Sequence, residues 1–226
     1  MAVVRRLTPR IVGLLLLLGA GVGVGCEVHS AARRSVYRAA ASIEAEDATT
    51  VAVRTRSGSV AVSPAAGERI EIDLEVWLRE SRPETDAVKS IDAHLAQSRS
   101  GGVLELLDRH RGANDAEDWE LRLTVRVPER MAVRVEQTVG TVRVEMAPRS
   151  DAEVEVSVAT GHVEVVGSAD YRGEVDVAVK TGSIELPDDW KLVAERRLAS
   201  ARVLGRVGEG GRRLRVELST GSVSIR

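Results

Sequence analysis

A glycine recurs along this chain with apolar residues at fixed offsets on either side. Around Gly161 they stand seven, five and three residues before it (Val154, Val156, Val158) and two and four after it (Val163, Val165). Gly182 carries Val175, Val177, Val179, Ile184 and Leu186 at the same offsets, and Gly221 carries Leu214, Val216, Leu218, Val223 and Ile225. Gly140 (Val133, Val135, then Val142, Val144) and Gly58 (Val51, Val53, then Val60, Val62) match too, except that Gln137 and Thr55 stand three residues before the glycine.

Alternation at period two, filled largely by valine, prescribes strands with one buried face. The step across the glycine, from three before to two after, is an odd number of residues. Both halves can face one core only if the chain turns there. A two-residue hairpin would put Thr160, Thr181 or Thr220 at a loop position that wants positive φ, where a β-branched residue is strained. A corner in a coiling chain asks only the glycine to be unusual. Gly140 to Gly161 and Gly161 to Gly182 are both 21 residues, and a fixed period of this kind signals stacked coils. The expected fold is all-β, a right-handed parallel β-solenoid with one short helix. A twisted β-sandwich is the alternative.

Two stretches break the period. Between Gly58 and Gly140, a strand from Ile70 to Leu78 is followed by Arg82-Pro83-Glu84-Thr85-Asp86, a helix start with proline in the first turn and acids that suit the helix dipole. Val88, Ile91 and Leu95 then place apolar groups on one helical face. Strands Val103 to Leu107 and Leu121 to Val127 follow, ending at Pro128. The second interruption, Pro187 to Gly211, holds Trp190 and one degenerate coil at Leu198 to Val207.

The glycine-centred strand pair, the acidic helix, the run Leu123, Val125, Val127, Pro128 and the tandem T-G-x-V-x-V coils together resemble the bacterial putative-adhesin domains of unknown function. The likeness spans roughly residues 45 to 226. It implies an all-β repeat architecture and brings no catalytic residues with it.

Ahead of the repeats lies a targeting layout. Arg5, Arg6 and Arg10 precede an apolar run from Ile11 to Val24, and Gly25-Cys26 follows; this reads as a secretory signal peptide over residues 1–25. About 14 apolar residues fall short of the roughly 20 that span a bilayer. Val22-Gly23-Val24-Gly25-Cys26 resembles a lipobox, with Gly23 where leucine is commonest. That resemblance makes Cys26, the sole cysteine, the lipidated N-terminus of the mature chain, anchored stably in a membrane by two or more acyl chains. Residues 26–48 read as the lipidated N-terminus and tether, and 49–226 as the folded β-repeat domain.

Composition narrows function by exclusion. The chain has 32 basic and 34 acidic residues, and removal of residues 1–25 takes three arginines, leaving a mildly acidic mature protein. No long-range field favours nucleic acid, and with five aromatic residues in all (Tyr37, Trp77, Trp119, Tyr171, Trp190) a base-stacking platform is excluded. His29, His94, His110 and His162 show no paired spacing, so no metal site is expected. No nucleophile elbow or phosphate loop is present. A carbohydrate-cleaving β-helix enzyme would need converging carboxylates, and Glu155, Glu164, Asp176, Glu185 and Glu217 fall on outward positions. Rows of opposite charge on stacked coils account for these equally well.

The sequence thus points to a non-catalytic, cofactor-free, lipid-anchored scaffold on the extracytoplasmic side of the cell envelope, contacting an envelope protein or polysaccharide. An envelope-stress sensing module is the alternative. The turn glycines Gly58, Gly140, Gly161, Gly182 and Gly221 are its structural signature. The chain stops one residue after its last core position, so the C-terminal strand is expected to be an open edge available for self-association.

Overall fold

Valine-rich alternation produces strands nearly everywhere in the computed structural model, which describes residues 33–79, 91–112, 119–148 and 151–226. Twelve strands follow in chain order: β1 (Arg33–Glu44), β2 (Thr50–Ala65), β3 (Arg69–Arg79), β4 (Leu95–Ser100), β5 (Val103–Asp108), β6 (Trp119–Pro128), β7 (Ala132–Glu145), β8 (Val154–Val166), β9 (Gly173–Glu185), β10 (Glu195–Arg197), β11 (Ser200–Val207) and β12 (Arg212–Ile225). Among the described residues a single helical turn, α1 (Ile91–His94), precedes β4. The remainder of the expected helix lies outside the described residues. Leu95, expected on that helix, instead begins β4 and is buried.

The strands form one mixed sheet in the order β1-β3-β6-β2-β7-β8-β12-β9-β11-β10, with β4 and β5 attached beside β2. Its centre is parallel. Strands β2, β7, β8, β12 and β9 lie side by side in matched register, so that Gly58 stands beside Gly140, Gly140 beside Gly161, Gly161 beside Gly221 and Gly221 beside Gly182. Each strand runs unbroken through its glycine, and β7, β8 and β12 keep the same two neighbours on both sides of it, which excludes the hairpin geometry.

The strands bend at these glycines. The 14 residues of β7 would span roughly 46 Å if straight. The eight residues from 146 to 153 that return the chain to the start of β8 reach at most about 30 Å. The return is possible because the strand folds at the corner and brings its ends together. The two arms then enclose one interior: Val156, Val216 and Val177 are register neighbours with no exposed surface. Strands β5 and β6 both pair with β2, β5 parallel to its first arm and β6 parallel to its second.

Four expectations are corrected. The C-terminal strand is no edge: β12 sits between β8 and β9 and is hydrogen-bonded to both, because its repeat matches theirs and fits between them, so self-association through it has no free edge to use. The segment taken for a tether contains β1, which pairs with β3 from Arg33 to Glu44, and the folded part begins before residue 49; its small alanines hide the alternation. Leu198 to Val207 is no coil either. Residues 195–207 form the hairpin β10–β11, with β11 antiparallel to β9. Finally, spatial order departs from chain order, since β8 and β9 are separated by β12, unlike a simple solenoid.

Candidate functional site

The glycine column is the first built feature. At Gly58, Gly140, Gly161, Gly221 and Gly182 φ lies between 121° and 151°, a region other residues rarely enter. A Cβ on Gly161 would lie 1.7 Å from the Gly140 carbonyl oxygen, and one on Gly221 1.8 Å from that of Gly161. The stack closes because nothing projects between one corner and the next. Beyond Gly182 the column continues into the β10–β11 hairpin, where the Ala199 carbonyl accepts a hydrogen bond from the Gly182 N–H at 3.0 Å. Cys26 lies outside the described residues.

The outward faces of the arms carry charge in rows. Arg54 bridges Glu105 at 2.6 Å and Glu136 at 3.1 Å. Glu155 takes Arg134 at 2.8 Å and faces Arg215 at 3.8 Å. On the second arm Glu164 lies between Arg143, at 2.6 Å, and Arg226. Asp176 is held by Arg202 and Glu217 by Arg215. The hydrogen bonds that Arg143 donates to Glu145 raise its ionisation above its already high range, and those that Arg215 donates to Glu217 do the same for Arg215. Four of the five outward carboxylates that could have served hydrolysis are thus engaged in ion pairs along the strands. A shallow groove across this face is lined by these same groups, including Arg134, Glu136, Glu155 and Glu217.

Two side-chain clusters were not apparent from spacing. Just after β5, Nδ1 of His94 lies 2.8 Å from Nε2 of His110. His110 stacks on Trp119 with centroids 4.4 Å apart, and Tyr37 packs on His94. The Asp108 carboxylate accepts hydrogen bonds from the backbone N–H groups of Arg56 and His110. The shared bond makes one imidazole nitrogen the donor and the other the acceptor. Among the described residues no third metal-ligating side chain joins the two rings, and the rings pack with Trp119 into one cluster. The second cluster lies by the parallel strands. Tyr171 is buried against Trp190, its hydroxyl donating to the Glu174 carbonyl, and burial pushes its ionisation up to about 12. His162 bonds Ser222 at the exposed corner, Nδ1 to Oγ 2.8 Å.

These features define a class: an all-β protein whose regular interior and salt-laced faces form a framework. Comparison with known proteins agrees at the level of fold. No family model and no curated protein matches the chain. Among solved structures, a putative cell adhesion protein from Clostridium sporogenes superposes with a TM-score of 0.50 at 12% identity, over 85% of this chain and 99% of that one. A putative adhesin from Bacteroides fragilis matches with a TM-score of 0.25 at 10% identity, over 85% of this chain and 98% of that one.

Proposed function

We propose that this protein is a lipid-anchored, non-catalytic scaffold on the extracytoplasmic side of a bacterial cell envelope, where its β-stack presents a rigid face to another macromolecule in an adhesive or organising role. The observation that carries the reading is the occupation of the outward carboxylates by ion-paired rows, on a frame of parallel strands closed by glycine. Such a surface is fixed in shape and rich in spaced charge, which suits recognition of a polar partner. The fold shared with the clostridial cell adhesion protein supports the same reading, as do the signal-like N-terminus and the lipobox-like Cys26. We read the five-strand parallel centre as a right-handed solenoid, the hand that parallel crossovers adopt, with antiparallel strands covering both of its ends.

Metabolic labelling with palmitate, followed by pull-down of the labelled protein from its own envelope, tests the proposal. Incorporation that is lost in Cys26→Ser, with recovery of an envelope protein or polysaccharide, is expected. An unmodified Cys26 in the mature protein overturns the anchoring.

A further inference from the structure

The β10–β11 hairpin combines two features that nothing in the fold requires. Its two-residue loop, Leu198–Ala199, is bounded by the last pair, Arg197 with Ser200. Leu198 occupies the first loop position with φ 48°, where glycine or asparagine is the usual occupant. A branched side chain there costs conformational energy, and the cost is not recovered by burial, because Leu198 is fully exposed. Nor is the loop merely loose. The Ala199 carbonyl is held by the Gly182 N–H, and the Ser200 hydroxyl bonds the Arg197 carbonyl. The protein holds an isolated leucine outward on a fixed stem.

The strand that leads into that leucine is cationic. Among the described residues four large hydrophobic side chains are exposed, and two of them, Leu198 and Leu204, lie on this hairpin. Residues 195–206 carry four basic side chains, Arg196, Arg197, Arg202 and Arg206, against the single acid Glu195. Arg202 and Arg206 are occupied by Asp176 and Glu174. Arg196 and Arg197 are exposed and immediately precede Leu198. Charge on a three-residue edge strand guards against edge pairing, but that role would be served better by a polar residue at 198 than by leucine. An exposed apolar tip beside two cations matches the chemistry of an anionic bilayer: acyl chains accept the leucine, and phosphate headgroups accept the cations.

We propose that the β10–β11 tip, Leu198 backed by Arg196 and Arg197, docks into the headgroup layer of an anionic lipid membrane. This goes beyond the anchoring proposal and does not depend on it, since the contact is made by the folded domain. Strand β10 ends one side of the sheet and β1, which follows the N-terminal segment, ends the other.

The test uses the full chain carrying Cys26→Ser, with Leu198→Cys bearing an environment-sensitive fluorophore, on vesicles of phosphatidylcholine alone or with roughly one phosphatidylglycerol in three lipids. Ser100→Cys on β4 is the control position and Ala199→Cys a second probe of the tip. Docking predicts a blue shift and quenching by nitroxide lipid at 198 and 199 on the anionic vesicles but not at 100. Adding Arg196→Glu and Arg197→Glu should weaken this response at least about tenfold, and high salt should suppress it. No shift at 198 and 199, an equal shift on vesicles without phosphatidylglycerol, or an equal response at 100 overturns the proposal. Because Cys26 is absent here, failure of acylation in cells and failure of tip docking are read by separate experiments.

Discussion

Gly161 and Gly67 both have strongly positive φ, 151° and 141°, yet they predict different losses on mutation. A Cβ on Gly161 meets the Gly140 carbonyl oxygen, backbone that cannot move without parting two strands, whereas a Cβ on Gly67 meets nothing within 4 Å. Gly161→Ala should cost more than about 4 kcal/mol and abolish a cooperative transition, while Gly67→Ala should cost about 1 to 2 kcal/mol in backbone strain. Chemical denaturation of both variants checks this. Thr55 and Gln137, the two departures from the apolar repeat, are register neighbours and buried. The Gln137 amide donates to the Gly58 carbonyl at 2.9 Å, but Thr55 Oγ1 has no hydrogen-bond partner among the described residues. Thr55→Val keeps the shape, removes an unsatisfied hydroxyl and should stabilise the fold by about 1 kcal/mol, read as a higher unfolding midpoint. Tyr171 sets an alkaline limit. An unfolded tyrosine ionises near pH 10, whereas burial holds this one to about 12. Between those values the unfolded chain has released the proton and the folded one has not, so stability falls as pH rises, by about 2 kcal/mol across the window. Tyr171→Phe should remove that part of the loss, as thermal unfolding measured from pH 9 to 12 would show.

At the scale of the element, the register was legible because period-two alternation and a glycine of positive φ leave few geometries open. The corners, their strand arms and the buried valines follow directly from the spacing. The position of β12 does not. Its apolar offsets match those of β7, β8 and β9, and repeats so alike can stack in any order; the hairpin β10–β11 carries the chain past β9 before β12 returns between β8 and β9. Strand β1 was hidden because Ala39, Ala40 and Ala41 blur the contrast between its faces. The pairing of His94 with His110 was hidden because it depends on how α1 meets the turn after β5, which no local spacing encodes. The placement of β12 has a direct consequence. Truncation after Gly211 removes the strand that joins β8 to β9 and should abolish cooperative unfolding of the whole sheet. Loss of a terminal coil from a sequentially stacked protein would instead leave the remainder folded. Near-complete loss of the cooperative thermal transition, followed by circular dichroism, is the expected outcome.

For the whole molecule, function follows from regularity. Parallel arms closed by glycine place alternating charges at fixed spacing on the outer faces, and the salt bridges at those faces are individually weak, about 0.2 to 1 kcal/mol each when exposed. Their arrangement contributes more to presentation of a surface than to stability, which comes from the common apolar interior. Antiparallel strands β3 and β11 flank the parallel centre, and short or charged strands terminate it, which limits pairing with other copies. The spatial order of the strands is therefore decisive, and disulfide trapping reads that order directly. In a Cys26→Ser background, Thr160→Cys with Thr220→Cys joins exposed register neighbours, which in a parallel pair stand about 4.8 Å apart and within reach of a disulfide. Thr160→Cys with Thr181→Cys spans two strand spacings, beyond that reach. The account predicts rapid oxidation of the 160/220 pair and none of the 160/181 pair. Ready bonding of 160 to 181, with 160 and 220 left reduced, would contradict it.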